Sequence, residues 1–144
     1  MSISIQLLLA AIASVETGSQ ANPDLAIGHA GERGRFQLSQ AVWEQHAKDY
    51  GVLPGDFAAD ASDPVIAASR AEAHLLWLTK QLEAHGRPVT VETLAEAWRS
   101  PAATFAGHAT AGVKDYAQRV ANLYDDAAKS APPRVPVPEH LSSP

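Results

Sequence analysis

Near its start the chain reads IQLLLAAIASVETG over residues 5–18, an apolar segment that ends in one acid and a glycine. Ile5, Leu8, Leu9 and Ile12 recur at the spacing of one face of an amphipathic helix. The segment is too short and too interrupted to span a membrane, and it lacks the basic residues that open a secretory signal. It therefore predicts the first helix of a folded domain.

Glu16 is the acid in the last turn of this helix. A carboxylate there faces the negative end of the helix macrodipole, which disfavours its charged form. Apolar neighbours such as Val15 and Leu38 would add to the effect by excluding water, so we expect a raised pKa for Glu16. A carboxylic acid that stays protonated near neutral pH can act as a general acid. Glu16 is therefore the candidate catalytic residue, and the alternative is a solvated acid at a helix end.

A loop punctuated by glycines follows, with the sequence GHAGERGRFQL over residues 28–38. It contains a second acid, Glu32, and an amide, Gln37. Gln37 either bonds a ligand or closes the loop on its own backbone, as buried amides commonly do. The loop directly succeeds the first helix, so we expect Glu16, the loop and the next helix to meet in one cleft.

Four short segments share their order and residue types with a known superfamily. They read ASVETG (13–18), AIG (26–28) leading to GRFQLSQAVW (34–43), TVETLAEAWRSP (90–101) and YAQRVANLY (116–124). Together they resemble the lysozyme-like superfamily, especially bacterial lytic transglycosylases and goose-type or invertebrate-type lysozymes. Three features depart from its pattern: Thr17 stands in a serine place, Arg99 stands in an asparagine place, and no glycine precedes Pro101.

The resemblance implies a mainly α fold: a single lysozyme-like domain of about five to seven helices around a substrate cleft, with little or no β-sheet. It implies a peptidoglycan-cleaving glycosidase that acts on the β-1,4 bond between N-acetylmuramic acid and N-acetylglucosamine. Its partner would be the glycan strand of peptidoglycan. The protein would act as a monomer in the periplasmic or extracellular cell-wall compartment. Glu16 would be the catalytic acid and base, with Glu32 as a helper. The implied substrate-binding residues are Gln37, Tyr116, Trp98 and Phe36, and core packing is the alternative for Tyr116 and Phe36.

The chemistry that the resemblance implies has two forms, which differ in the need for a second carboxylate. Two-carboxylate glycosidases place the partner about 5 to 5.5 Å away for retention and about 6.5 to 9.5 Å away for inversion. Asp24 and Glu32 are the nearest candidates, although Asp24 follows Pro23 and has the character of a turn residue. A lytic transglycosylase needs one acid alone, and this scheme fits slightly better because Glu16 is the better supported acid. Hydrolysis stays open.

Composition favours one compact domain and excludes several classes of site. The 144 residues suit a single core, and frequent alanine favours helix. Without cysteine there is no disulfide framework or thiolate metal site, which favours a bacterial or phage-like relative over the disulfide-rich invertebrate lysozymes. A net charge of −5 without a basic cluster argues against nucleic acid. The six histidines lack ligand spacing, so we expect them to be solvated or locally bonded, with no metal and no cofactor.

Capping residues, glycines and prolines along the chain predict five helices and a tail. After the first helix, we expect helices from Ser39 to Tyr50 with Gly51 as its cap, from about Pro64 to His85, from Thr90 to Arg99, and from about Val113 to Ala128. Pro101 and a loop bearing His108 would separate the last two. We assign residues 1–129 to the lysozyme-like domain and residues 130–144 to a proline-rich tail. Trp43, Trp77 and Trp98 are candidates to line the cleft, and Trp77, on the core helix, is the one we least expect there.

Two other classes of function stay open at the level of sequence. Arg99 in the asparagine place is compatible with a lysozyme-like module that binds glycan or assembles at the cell wall without cleaving it. An all-α interaction module unrelated to sugars would leave Glu16 exposed and unperturbed. The first predicts binding without turnover, and the second predicts no glycan binding.

Overall fold

The computed structural model describes residues 2–49 and 55–130. Over these residues the chain forms seven α-helices and no β-strand, which confirms the mainly α class with five to seven helices. Gly51 and residues 131–144 of the proline-rich tail lie outside the described residues, whereas Ser130 is the last residue of the final helix. The helices are α1 (Ile5–Thr17), α2 (Gln40–Asp49), α3 (Phe57–Asp60), α4 (Pro64–Ala84), α5 (Val91–Arg99), α6 (Pro101–Ala106) and α7 (Ala111–Ser130), with a short 3-10 helix over Pro23–Leu25.

Polar side chains start the helices where the sequence predicts. The carboxylate of Asp63 accepts hydrogen bonds from the backbone N–H groups of Val65 and Ile66 at the start of α4. Thr90 and Thr93 form a reciprocal capping box at the start of α5. These bonds satisfy N–H groups that the first helical turn leaves without partners.

Two helices are absent from the sequence prediction. Asp56 caps the single turn of α3, which the sequence analysis misses. Residues 101–106 form α6, where we expected a break and a loop. Pro101 does end α5, but its fixed φ and missing N–H also suit the first position of a new helix, so the chain re-enters helix immediately. The loop that contains His108 is correspondingly short.

The core is built around α4, which packs against α1, α2, α5 and α6, while α7 packs against α1 and α5. The apolar face of α1 contributes Leu8 and Ile12, and α4 contributes Leu75, Leu78 and Leu82, all without exposed surface. The backbone N–H of Ser4 donates to the hydroxyl of Tyr124 at 2.9 Å, which ties the start of α1 to α7. None of the helices in the described part combines the length and apolar character that a membrane crossing requires.

The glycine loop, here residues 26–38, keeps its shape through backbone hydrogen bonds within the loop and forms no sheet. Isolated bridges pair Arg33 with Ile27 and with Leu38. Gly34 donates its N–H to the Ala26 carbonyl at 2.9 Å and has a φ of +81°. A side chain there would overlap the Ala61 carbonyl oxygen, so both the conformation and the packing at this position need glycine.

Leu75→Ala tests the packing around α4, with Leu76→Ala as its control. Leu75 is 0% exposed and its neighbour Leu76 is 44% exposed. We expect the first change to lower the free energy of unfolding by about 2–5 kcal/mol, because it leaves a cavity in the core. The second should change it by no more than about 0.5 kcal/mol. Urea unfolding checks both, and equal losses would contradict this arrangement of α4.

Candidate functional site

A cleft of about 750 Å³ opens where α1, the glycine loop, α2, α4, α5, α6 and α7 converge. Pockets of about 300–1,000 Å³ are the usual size for small-molecule and cofactor sites. The lining combines carboxylates, guanidinium groups, amides and aromatic rings. Its residues are Val15, Glu16, Gly28, His29, Ala30, Glu32, Gln37, Leu38, Ser39, Val42, Gln45, His74, Trp77, Trp98, Arg99, Pro101, Tyr116 and Arg119.

Glu16 projects from the last turn of α1 into the wall of the cleft, and its side chain is only 10% exposed. Burial raises the pKa of Glu16 above its ordinary value; Arg99 and Arg119 pull that pKa down, and the carboxylate of Glu32 pushes it up. The net shift is upward. Val15 and Leu38, the two apolar neighbours anticipated from the sequence, both line the same cleft. The arrangement produces an acid that holds its proton at a higher pH than a solvated glutamate does.

Among the described residues, Arg99 is the nearest cation to this acid. Its Nη1 atom lies 3.5 Å from Oε1 of Glu16, and its Cζ atom lies 5.6 Å from the centre of the Tyr116 ring. The ion pair is longer than the roughly 2.7–2.9 Å of a charge-assisted hydrogen bond. Arg99 therefore offsets the burial of Glu16 without holding the carboxylate through a hydrogen bond.

In the glycine loop, the side-chain ends of Glu32 and Gln37 both lie close to Gly28. A Cβ atom at Gly28 would overlap the Glu32 carboxylate and approach Oε1 of Gln37 to 2.5 Å, so a side chain at this position would displace both groups. Nε2 of Gln37 donates to the Gly34 carbonyl at 3.0 Å and more weakly to the Ala26 carbonyl at 3.4 Å. Gln37 thus closes the loop through its amide nitrogen while its side chain also lines the cleft.

Asp24, the other acid considered as a partner for Glu16, faces Arg35 instead of the cleft. Nε and Nη2 of Arg35 donate to the two carboxylate oxygens of Asp24 at 2.7 and 2.9 Å. These hydrogen bonds lower the pKa of Asp24. A bidentate pair of this kind fixes the turn that leads into the glycine loop. Glu32 is the candidate second carboxylate that reaches the cleft.

Tyr116 lines the cleft from α7 and is 4% exposed. Its hydroxyl has no hydrogen-bond partner among the described residues, which is uncommon for a buried polar atom. Burial, followed by the nearby Glu16 carboxylate, raises the pKa of Tyr116, so the phenol stays protonated. A buried O–H donor without a partner is ready to bond a ligand that enters the cleft.

The aromatic candidates divide between the core and the cleft. Trp43 and Phe36 are buried in the core and do not line the cleft. Trp98 does line it, and so does Trp77, the tryptophan least expected there. The two rings flank His74, with centroid distances of 5.8 Å to Trp77 and 5.0 Å to Trp98.

His74 and its partner His46 form a buried pair that sequence analysis misses. Nε2 of His46 lies 2.9 Å from Nδ1 of His74, and both residues are buried. The expectation that every histidine is solvated or locally bonded is therefore wrong for these two, which are brought together from α2 and α4. One signal was present: His74 falls between Ala71 and Leu78 on the buried stripe of α4. Arg119 and His29 are further cleft residues that sequence analysis does not single out.

No family model, curated protein or solved structure matches this chain, so the resemblance to lysozyme-like proteins stays a prediction and the cleft itself carries the functional case.

Replacing Tyr116 and Tyr124 by phenylalanine should give different results. Tyr116→Phe removes a buried hydroxyl without a partner, so stability should be unchanged or raised. Tyr124→Phe removes the acceptor for the Ser4 N–H and should cost about 0.5–1.5 kcal/mol of unfolding free energy. Urea unfolding of both variants makes the comparison. A larger loss for Tyr116→Phe would contradict an unpartnered hydroxyl.

The buried His74 should make stability depend on pH. Burial and the neighbouring His46 lower the pKa of His74 from 6.5 to about 3. As pH falls below 6.5, His74 takes up a proton in the unfolded chain but stays neutral in the folded chain. The stabilising contribution present above pH 6.5 is therefore lost as pH falls from 6.5 toward 3. We expect a loss on the order of 1–2 kcal/mol between about pH 7 and pH 5.

His74→Gln should flatten this loss, whereas the exposed His108→Gln should leave it as in the wild type. Urea unfolding at about pH 7 and at about pH 5 gives, for each protein, the change in unfolding free energy between the two pH values. A substitution that alters stability equally at both pH values leaves this change unaffected. An unchanged difference in His74→Gln would show that another group titrates.

Proposed function

We propose that this chain is a peptidoglycan-cleaving glycosidase that cuts the β-1,4 bond between N-acetylmuramic acid and N-acetylglucosamine, with Glu16 as general acid and base. The observation that supports it is a buried carboxyl group with a raised pKa in the wall of a 750 Å³ cleft. A perturbed acid in a cleft of ligand size is a common mark of a catalytic site. The order of the four sequence segments supplies the choice of substrate.

In the proposed reaction, protonated Glu16 donates its proton to the leaving glycosidic oxygen as the bond from that oxygen to the anomeric carbon breaks. The resulting carboxylate then takes a proton from the nucleophile as the nucleophile's oxygen bonds to the anomeric carbon, which restores Glu16 to its starting state. If the nucleophile is the 6-hydroxyl of the same sugar, the product is an anhydro sugar and the enzyme is a lytic transglycosylase. If it is water, the product has a reducing end and the enzyme is a muramidase.

The other cleft residues fit roles in binding a sugar chain. Trp77 and Trp98 offer apolar surface for the ring faces, and Tyr116 offers an O–H donor close to the acid. Glu32 is the residue to serve as a second carboxylate if the reaction is hydrolysis. The proposed place of action is the compartment that holds the cell wall.

A second candidate function is a glycan-binding or assembly module without turnover. It is favoured by the ion pair between Arg99 and Glu16, because a guanidinium group beside a carboxylate stabilises its charged form and so opposes proton donation. This candidate predicts that glycan binds in the same cleft and is released intact.

Digestion of purified peptidoglycan by the wild type and by Glu16→Gln, with mass spectrometry of the released fragments, tests the proposal. We expect products from the wild type and a loss of at least about a hundredfold in the variant, since general acid catalysis contributes about 10²–10⁴-fold. Glu83→Gln, at an exposed position on α4, is the charge-matched control and should retain activity.

The products decide between the chemistries. Anhydro ends that vanish in Glu16→Gln identify a transglycosylase, and reducing ends that vanish identify a muramidase and make Glu32→Gln the next variant. Intact glycan that still binds the wild type would support the module without turnover and contradict the glycosidase.

A further inference from the structure

Arg99 is the cleft residue whose role the proposed reaction leaves unexplained. Its side chain is 58% exposed, and among the described residues it donates no hydrogen bond; it is held only by the 3.5 Å ion pair with Glu16 and by the face of Tyr116. A guanidinium group carries five N–H donors in a planar fork that matches a carboxylate in two-point contact. Glu16 uses none of these donors at hydrogen-bond distance.

A second guanidinium group lies at the same wall of the cleft. Arg119 follows Tyr116 by one turn of α7, lines the cleft, and acts on the pKa values of both Glu16 and Tyr116. The chain as a whole carries a net charge of −5, so two arginines in one cleft are opposite in sign to the overall charge of the protein. Two guanidinium groups in a cleft that also holds aromatic rings suit a ligand that is a glycan and also bears negative charge.

The ion pair also creates a competition for Arg99. A ligand carboxylate that offers two oxygens in direct contact provides a stronger partner than Glu16 does at 3.5 Å. Once the guanidinium group turns to that ligand, burial and Glu32 favour the protonated form of Glu16, and Arg119 is left as the opposing cation.

From this geometry we infer that Arg99 determines specificity: a glycan with a carboxylate on or beside the sugar at Glu16 binds Arg99, frees Glu16 from its ion pair, and is bound and cleaved in preference to a neutral glycan of equal length. The cleavage part of this inference rests on the proposed function, whereas the binding part does not. The carboxylate could come from an ether-linked acid on the sugar itself or from an attached peptide, since both offer the same two oxygens.

Binding measured by calorimetry tests the recognition step. The ligands are a neutral N-acetylglucosamine oligomer, an equally long N-acetylglucosamine–N-acetylmuramic acid oligomer with free carboxylates, the same oligomer with those carboxylates amidated, and a peptide-bearing strand. We expect the wild type to prefer free carboxylates over their amides by about tenfold, the effect of one charge-assisted hydrogen-bonded contact. A preference confined to the peptide-bearing strand would assign the carboxylate to the peptide.

Three variants separate charge recognition from a structural effect. Arg99→Gln should lose the preference while it binds the neutral oligomer within about twofold of the wild type, since only the charged contact is removed. Glu16→Gln should bind the carboxylate form more tightly than the wild type does, because Arg99 no longer has a competing anion. Lys80→Gln, an exposed residue on α4, makes the same change in net charge and should alter neither affinity. Equal weakening of neutral and charged ligands by Arg99→Gln would overturn the inference, as would equal affinities in the wild type or no glycan binding.

Cleavage provides a second readout that a structural role would not move. On the neutral oligomer, Arg99→Gln should move the alkaline limb of the pH–rate profile to higher pH. The reason is that Arg99 lowers the pKa of Glu16, so that without Arg99 the acid keeps its proton up to a higher pH. Equal kcat/KM for free and amidated glycans in the wild type would overturn the inference and leave the glycosidase standing. A tenfold binding preference without any cleavage would contradict the glycosidase and leave Arg99 as the recognition residue.

Discussion

The hydroxyl of Thr17 joins the end of α1 to the glycine loop, and the site depends on this join. Its single O–H is shared between the Arg35 carbonyl at 2.9 Å and the Ala13 carbonyl at 3.1 Å, so one buried side chain links the last turn of α1 to the loop. Glu16 is the preceding residue; it lines the same cleft as Glu32 of this loop, and the Glu32 carboxylate raises its pKa. On the other side of the loop, the bidentate pair between Asp24 and Arg35 fixes the same turn. These local hydrogen bonds join the end of α1 to the glycine loop without the need for a sheet.

Opposed charges set the properties of the cleft. Burial raises the pKa of Glu16 and so favours its neutral form, and Arg99 with Arg119 moderates that effect. The Tyr116 ring lies beneath the Arg99 guanidinium group, while its hydroxyl stays protonated and without a partner among the described residues. The result is a site in which the Tyr116 hydroxyl, the Glu16 carboxyl group and the Arg99 guanidinium group share one cleft without hydrogen bonds to one another. Such incomplete satisfaction is costly in a folded core and is typical of a place where a ligand completes the bonding.

Much of the helical frame could be predicted because its signals are local. Asp63 before Pro64 and Thr90 before Val91 mark helix starts through bonds to the next few residues. The misses have equally physical causes. Pro101 stops one helix and starts another, and sequence alone does not separate these two roles. The contact between His46 and His74 joins residues 28 positions apart, so no local pattern contains it.

By itself, the sequence determined the mainly α class, the amphipathic face of α1, and the position of an acid at the end of that helix, because periodicity and capping act over a few residues. Tertiary structure alone decided which acids share a cleft: Glu16 and Glu32 line it, whereas Asp24 is held by Arg35 outside it. It also placed Trp77 in the wall, Phe36 in the core and Arg99 beside the acid. Burial and the approach of distant charges depend on how helices pack, and packing is a property of the whole chain in three dimensions.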